Sequence, residues 1–192
     1  MRQAGLHADV RVLFMTRALS DLPAAIGAAR AEVDVPSNRI PADAAWITPD
    51  MLPLVRLGQE AIDGIVTQMP GGAANVQDIY PLGPLQEGIL FHHLMARGAD
   101  TYVLPSLLGF SRRPALDRFI ATLNVVIARH DVLRTAVMWE GLDEPVQVVH
   151  RQASLPVTIC DAARGDAVEQ LKALAAAPEY RIDVRKAPLL RA

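Results

Sequence analysis

The feature that most limits the fold of this 192-residue chain is a long amphipathic pattern followed by two strand-like runs. Apolar residues recur at the spacing of one helix face; they are Leu116, Phe119, Ile120, Leu123, Val126 and Ile127. Residues 132–139 and 146–150 are rich in residues that favour strands, and residues 141–144 between them begin with glycine. A helix that leads into a β-hairpin predicts a mixed α and β region.

More elements are predicted on either side of this unit. Pro84 suits the first turn of a helix that runs to about Ala96. Residues 102–110 predict a strand near a sheet edge, because the run contains a proline. Residues 157–160 predict a short strand and residues 166–177 a helix. The side chains that this last helix is expected to turn inward are Val168, Leu171, Leu174 and Ala175.

Two zones with other properties precede this region. In residues 1–31, apolar residues at helical spacing predict two short helices, with Ser20 placed to cap the second. Residues 32–78 contain five prolines and a glycine pair, which predicts a linker. One helix is expected within it, with an apolar face made of Leu57, Ala61, Ile62, Ile65 and Val66. Because the linker is also apolar elsewhere, as at Trp46, we expect it to pack against a neighbour.

Charge and composition exclude several classes of partner. The chain has 19 basic and 21 acidic residues and a net charge of −2, so nothing predicts binding to nucleic acid or to an anionic membrane. No apolar run reaches the roughly 20 residues that span a bilayer, and the first residues lack the apolar core of a signal peptide. Cys160 is the single cysteine, so no internal disulfide can form. We therefore expect a soluble cytoplasmic protein.

Two adjacent histidines, His92 and His93, are candidate reactive side chains of the helix that begins at Pro84. This helix is apolar nearly all round, which predicts burial on most sides. Gln86 shares a face with His93, while His92 projects about 100° away, so the two rings are not expected to chelate one metal. Two interpretations remain open. One histidine is hydrogen-bonded in the core and the other is half exposed, or one of them transfers protons near neutral pH.

A second polar group follows the amphipathic helix. If the next run alternates as a strand, Arg134 shares a face with Ala136 and Met138. An exposed arginine is the plain interpretation, whereas a buried one would require a carboxylate or several carbonyls. Arg129 and His130 lie where the helix ends, and a cation there is favourable for the helix dipole alone.

No motif for a resident metal or cofactor occurs in the sequence. There is no phosphate-binding glycine loop, no Gly-x-Ser-x-Gly elbow and no zinc-ligand spacing. Cys160 is interpreted as a plain buried thiol. The residues alone describe a soluble α/β domain without a complete active site.

Two stretches resemble signature motifs of a known family. Residues 80–93 read YPLGPLQEGILFHH and residues 129–135 read RHDVLRT. They resemble the first two motifs of the condensation domains of nonribosomal peptide synthetases. The resemblance implies the N-terminal lobe of an α/β fold like that of chloramphenicol acetyltransferase, and amide bond formation between carrier-bound thioesters. The motif residues to which it gives structural roles are Gln86, Arg129, His130 and Arg134.

The family's catalytic motif, His-His-x-x-x-Asp-Gly, does not occur in residues 1–192. By the resemblance, Arg134 would brace the aspartate of that motif, and residues 187–191 resemble the segment just before it. Gly83 and Val137 depart from the residues commonest in the family. We therefore expect the parent protein to be an enzyme and this chain alone to be inactive.

A third match predicts the subtype. Residues 92–100 read HHLMARGAD, which resembles the His-His-Leu/Ile-x-x-x-x-Gly-Asp signature of dual epimerisation/condensation domains. Such domains invert the Cα of the donor residue before condensing it. Ala99 stands where the signature has glycine. The resemblance assigns His92, His93 and Asp100 as catalytic residues of epimerisation.

The segments before residue 79 extend the resemblance. Residues 1–31 resemble the last helices of a peptidyl carrier domain, residues 32–78 the linker of a dual domain, and residues 79–192 the condensation domain itself. No cofactor is expected in this chain, because 4′-phosphopantetheine would be borne by neighbouring carrier domains. The implied partners are these carriers with their thioesters, an adenylation domain and the C-terminal half of the condensation domain. The implied product is a secondary metabolite such as a peptide antibiotic or siderophore.

Two alternatives stay open. The chain could be a non-catalytic module whose carrier tail and linker dock a partner synthetase. It could also belong to a CoA-dependent acyltransferase of the same fold, although the carrier-like tail argues against this.

Overall fold

The computed structural model describes residues 19–21, 36–96, 100–160, 166–177 and 181–192. The chain divides into two compact units, Met1–Ser37 and Asn38–Ala192. In the first unit, Leu19–Asp21 forms a 3₁₀ turn in which the Ser20 hydroxyl donates to Asp21 at 3.2 Å. The two predicted helices of that unit otherwise lie outside the described residues. The domain boundaries at residues 31 and 78 stay predictions.

A three-stranded antiparallel sheet organises the part of the second unit that the structure describes. Its strands are β1 (Val76–Pro81), β2 (Thr135–Met138) and β3 (Val146–His150). Strand β3 lies in the middle, where Val148 pairs with Ile79 on one side and Ala136 on the other. The predicted hairpin is confirmed, and Gly141 supplies a φ of 72° in its turn, a value that favours glycine.

Strand β1 is absent from the sequence-based expectations, which place its first half in the linker. It is short, and Pro81 at its end cannot donate a ladder hydrogen bond. A bulge also interrupts its pairing with β3, because Val76 pairs with His150 but Asp78 pairs with the adjacent Val149. These irregularities weaken the alternating pattern by which a strand is recognised.

The α-helices of the described residues are α1 (Gln59–Gln68), α2 (Pro84–Met95), α3 (Arg113–Arg129) and α4 (Ala167–Ala176). Each lies where the sequence predicts a helix. Helix α2 has proline in its first turn, and Asp166 caps α4 by accepting the Val168 N–H at 2.8 Å. None of these helices is long and apolar enough to cross a membrane.

The core of the second unit lies between the sheet and the apolar segment that was predicted to be a linker. Ile47 and Ile62 of that segment are fully buried, together with Ile79 of β1 and Val148 of β3. Burying one large aliphatic side chain stabilises a fold by roughly 1.5–3 kcal/mol. The prediction that the linker packs against a neighbour is confirmed, and the neighbour is the sheet. Trp46 nevertheless stays largely exposed.

Residues 102–110 form no strand, so this prediction is wrong. Pro105 has no N–H to donate, and no strand among the described residues pairs with the segment. Leu104 and Leu107 are exposed to solvent. The apolar residues of this segment resemble the pattern of a strand, but no described strand pairs with them.

Residues 157–160 are not a strand either. The Thr158 N–H donates to the Ala192 carbonyl at 2.7 Å, and the Ala192 N–H donates to the Pro156 carbonyl at 2.9 Å, without a longer ladder. In α4 four side chains are expected to turn inward. Val168, Leu171 and Leu174 are exposed, because no described segment covers them, and Ala175 is half-buried.

Candidate functional site

Gln86 fixes the N-terminal end of α2 to the sheet. Its side-chain oxygen accepts the Gly83 N–H at 2.8 Å, which satisfies a backbone donor at the start of the helix. Its amide also forms a reciprocal pair with Gln147 of β3, at 2.9 and 3.0 Å. Gln147 donates in turn to the Pro81 carbonyl at 3.1 Å. The helix therefore starts from a defined position on β1 and β3.

At the other end of α2, the structure separates the two adjacent histidines. His92 is exposed, and its ring centroid lies 5.7 Å from that of Phe91 and 6.1 Å from that of Tyr102. The side chain of His93 is only 12% exposed and faces Asp100. Because neighbouring side chains diverge by about 100° on a helix, one histidine meets solvent and the other meets a carboxylate.

His93 binds Asp100 through its Nδ1 and the Oδ2 of the carboxylate. The other carboxylate oxygen accepts the Tyr102 N–H at 3.0 Å. Burial alone would raise the pKa of Asp100, but the hydrogen bonds from His93 and Tyr102 and the charges of His93 and Arg181 together hold this pKa below its ordinary value. Asp100 is therefore ionised at neutral pH. The structure thus brings two of the three predicted epimerisation residues together, and leaves His92 outside.

Arg181, a residue absent from the sequence-based predictions, completes this cluster. Its guanidinium donates from Nη2 to the His93 carbonyl and from Nη1 to the Ala96 carbonyl, the latter at 3.0 Å. Nη2 also lies 3.5 Å from Nδ1 of His93. No local pattern marks such a residue, because 88 positions separate it from His93 along the chain.

The cluster of His93, Asp100 and Arg181 has the chemistry of a general base. An ionised carboxylate at Nδ1 favours the tautomer that carries its proton on Nδ1, which leaves the lone pair of Nε2 free to accept a proton. His93 borders an open pocket of about 360 Å³, whose other lining residues are Trp139, Glu140, Arg181, Ile182, Asp183 and Arg185. A molecule in this pocket would lie beside the base.

Arg134 forms a second polar cluster, at the sheet. Its side chain is buried, so the plain interpretation of an exposed arginine is wrong. Nη2 pairs with Asp131, while Nη1 donates to the His150 carbonyl and, at 3.0 Å, to the Gln77 side chain. Arg134 is buried because Asp131–Arg134 forms a 3₁₀ turn. Arg134 therefore precedes β2, and the alternation of side chains along that strand does not apply to it. The carboxylate and carbonyl that a buried arginine requires are both present.

The bulge in β1 supplies one of these partners. Gln77 is the unpaired residue of the bulge, and its amide both accepts from Arg134 and donates to Asp131 at 2.9 Å. Burial, and then the charge of Arg134, lowers the pKa of His150, so this ring stays neutral in the fold. Within the described residues, Nε of Arg134 and Nε2 of His150 are buried without a hydrogen-bond partner.

Arg129 and His130 belong to neither cluster. Both are exposed where α3 ends, and the His130 N–H donates to the Val126 carbonyl at 3.2 Å. Among the described residues, no hydrogen bond links their side chains to His93, Asp100 or Arg134. Their placement fits the interpretation in which a cation favours the end of the helix dipole.

Two other features concern ligand chemistry. No group of three or more histidine, cysteine, aspartate or glutamate side chains in the described residues could hold a metal ion. The thiol of Cys160 is exposed, so the expectation of a buried thiol is wrong. Residues 157–160 make no strand that would have covered it.

The surface of α2 contradicts the expectation that this helix is buried on most sides. Leu90 is buried, but Leu85, Phe91 and Met95 are between 60% and 79% exposed. An all-round apolar pattern predicts burial only where partners exist, and no described segment covers this face. The segment 102–110 that follows adds further exposed apolar side chains.

The chain is similar to short parts of much longer known proteins. The family model described as "Condensation domain" matches residues 76–192. Malpinin synthetase of Mortierella alpina is 49% identical over 189 residues, which cover 97% of this chain and 2% of that protein. Malpibaldin synthetase of the same organism is 47% identical over 193 residues, covering 100% of this chain and 4% of that protein. Tyrocidine synthase 2 of Brevibacillus parabrevis is 34% identical over 95 residues, covering 50% and 3%.

Proposed function

Because the chain belongs to the condensation domain family, we propose that it is part of a nonribosomal peptide synthetase. In this proposal the complete domain joins aminoacyl or peptidyl thioesters on carrier domains through an amide bond. The support is the family match over residues 76–192 and the similarity to malpinin synthetase, malpibaldin synthetase and tyrocidine synthase 2. The 4′-phosphopantetheine arm that carries each thioester belongs to the neighbouring carriers, and the adenylation domain and C-terminal half of the condensation domain are the other partners.

The observation that carries this proposal is that the two family-like motifs hold opposite ends of one strand pair. The first motif contributes Gln86, which contacts Gln147 near the start of β3. The second contributes Arg134, which contacts His150 at the end of β3 and Gln77 at the start of β1. Two motifs that are distant in sequence therefore build one rigid frame.

Arg134 has a further role in this proposal. The family resemblance gives it the task of bracing the aspartate of the catalytic motif. Its Nε–H is buried without a partner in the described residues, and a carboxylate would satisfy that donor with a charge-assisted hydrogen bond. Arg134 is thus proposed as a positioning residue for condensation.

We also propose that the domain epimerises the donor residue before condensation, with His93 as the base. Nε2 of His93 removes the Cα proton of the donor thioester and leaves an enolate. A water molecule then gives a proton to the opposite face of Cα, which produces the inverted residue, and the hydroxide that remains takes the proton from His93. Asp100 orients the ring and stabilises the imidazolium that forms. His92 is expected to contribute less, because it faces away from this carboxylate.

Reconstitution of the complete domain with its carriers tests both steps. The donor carrier is loaded with an L-aminoacyl group, and the configuration of the product is read by chiral chromatography. We expect an amide product with a D-configured donor residue. Absence of any amide product would contradict condensation, whereas an L-configured product would contradict epimerisation alone. Replacing the donor carrier with an acyl-CoA should give no product, which separates the proposal from a CoA-dependent acyltransferase.

A second candidate function, a docking module, is favoured by the exposed apolar side chains of α2. In this case isolated carrier or adenylation domains would bind the chain in a pull-down, and Phe91→Ser would weaken that binding. Phe119→Ser, on α3, is the matched control for loss of an exposed ring. No binding by the unaltered chain would remove this candidate.

A further inference from the structure

We infer that Arg181 is a positioning residue for the proposed epimerisation: it fixes the C-terminal end of α2 so that the ring of His93 meets Asp100. The inference rests on the proposed function of His93. It adds a residue that neither the motif at residues 92–100 nor any local sequence pattern contains.

The first step of the argument concerns the end of the helix. The last carbonyls of an α-helix lack partners within it, and a cation near them is stabilised by the helix dipole. Arg181 donates to the carbonyls of His93 and Ala96, one in the last turn of α2 and one just past its end at Met95. One guanidinium therefore holds both the last turn and the chain that leaves it.

The second step concerns the contacts and charges around Asp100. The Asp100 carboxylate binds the ring of His93. Arg181 donates to the backbone carbonyls of His93 and Ala96, so it holds the residue that Asp100 binds. Its positive charge also contributes to the lowered pKa of Asp100, after burial, which acts in the opposite direction, and the hydrogen bonds of the carboxylate. Arg181 therefore affects the pair of His93 and Asp100 both through its hydrogen bonds and through its charge.

The third step concerns the other charges in the pocket beside His93 and next to it. Arg185 binds Asp183 at 2.9 Å and Glu140 at 3.1 Å, and Lys186 lies 3.5 Å from Asp183. These cations are paired with carboxylates, whereas Arg181 directs its Nη groups to the end of α2. Arg113 of α3, which pairs with Asp117 at 2.7 Å and does not line this pocket, is therefore the control with the same charge.

The test compares Arg181→Met, Arg181→Lys and Arg113→Met in the complete domain with its carriers. Two rates are measured: deuterium uptake at Cα of an L-configured donor, and condensation of a donor that is already D-configured. Misplacing a reacting group by about 1 Å can lower a rate by about 100-fold. We expect Arg181→Met to lower kcat for deuterium uptake by up to this factor with little change in KM. Arg181→Lys should recover part of the rate, and Arg113→Met should stay within about twofold of the wild type.

The condensation rate distinguishes positioning from general support of the fold. We expect Arg181→Met to condense the D-configured donor at nearly the wild-type rate. Equal loss of both rates would show a merely structural role and would overturn the inference. Wild-type deuterium uptake in Arg181→Met would overturn it as well.

A spectroscopic measurement decides the inference even if the wild-type domain shows no deuterium uptake, a result that would count against the proposed function itself. In the domain labelled with ¹⁵N-histidine, the His93 ring should show the tautomer with its proton on Nδ1. Arg181→Met should reduce the population of this tautomer, and Arg113→Met should not. An unchanged tautomer in Arg181→Met would overturn the positioning role independently of turnover.

Discussion

The protein contains two clusters centred on an arginine, and they differ in what surrounds them. Arg134 is enclosed between a 3₁₀ turn and the sheet, where it binds Asp131, Gln77 and the His150 carbonyl. Arg181 lies beside an open pocket and binds the end of the helix that presents His93. The same bonding chemistry therefore fixes a frame in one place and, in our proposal, orients a base in the other. The two clusters form similar hydrogen bonds, and they differ in that the Arg181 cluster borders an open pocket.

The largest effect is expected from removing the enclosed arginine. Arg134→Met leaves the His150 carbonyl and the Gln77 amide without their donor, which should lower the free energy of unfolding by about 3 kcal/mol. Arg181→Met should cost about 1 kcal/mol, because the hydrogen bonds it removes are only partly buried. Urea unfolding of the complete domain gives both values. Equal losses would mean that the two clusters do not differ in the way described.

A smaller effect is expected at the amide pair that joins α2 to β3. Gln86→Leu leaves the buried Gln147 with one partner fewer and should lower the free energy of unfolding by about 1–2 kcal/mol. The double variant Gln86→Leu with Gln147→Leu should recover part of that loss, because neither amide is then left unpaired. A double-mutant cycle in urea measures the coupling between the two positions. Strictly additive losses would count against the pair as the anchor of α2.

The pH dependence of stability separates the two clusters. His150 has a pKa lowered by burial and by Arg134, so below its ordinary value of 6.5 the unfolded chain binds a proton that the folded ring rejects. The free energy of unfolding should therefore fall as the pH drops below 6.5. Asp100, whose pKa is also lowered, contributes stability above its ordinary value of 3.8, and this contribution is lost as the pH falls further through the folded pKa.

Two variants show which residue causes each of these losses of stability. His150→Phe should remove the loss that begins near 6.5, and Asp100→Asn the loss that begins near 3.8. Urea unfolding at a series of pH values measures both. If His150→Phe and the wild type lose the same free energy of unfolding as the pH falls below 6.5, the His150 ring is not held neutral by burial beside Arg134.

The smallest effect is expected at a surface ion pair, which serves as the reference for both clusters. Arg113 and Asp117 lie 2.7 Å apart on α3, and both side chains are more than half exposed. Arg113→Ala should change the free energy of unfolding by no more than about 0.5 kcal/mol. A loss as large as that of Arg181→Met would show that solvent-exposed charges contribute more in this fold than assumed.

The parts of the fold that could be predicted are those in which one local pattern runs for many residues. The periodicity of α3 and the two runs around Gly141 led to the correct helix and hairpin, and the buried Ile127 lies on the predicted face of α3, although Phe119 and Val126 of that face are exposed. The same reasoning failed at residues 102–110 and on α2, where an apolar pattern meets no partner in the described residues. A pattern shows which side chains favour burial, but only tertiary contacts decide whether they are buried.

The candidate site divides in the same way. The motif at residues 92–100 predicted that His92, His93 and Asp100 act together, but not which of the two histidines binds Asp100. The burial of Arg134 was not, because a 3₁₀ turn displaced it from the strand whose alternation would have exposed it. Arg181 could not be found at all, since it reaches His93 only through long-range folding and is recognised by the carbonyls it binds.

The central claim is that His93, and not the adjacent His92, removes the Cα proton of the donor. Deuterium uptake at Cα of an L-configured donor, measured for His93→Ala and His92→Ala in the complete domain, tests this most directly. The account predicts that uptake falls by at least about 100-fold in His93→Ala and by less than about tenfold in His92→Ala, with condensation of a D-configured donor preserved in both. Wild-type uptake in His93→Ala, or loss in His92→Ala alone, would contradict it.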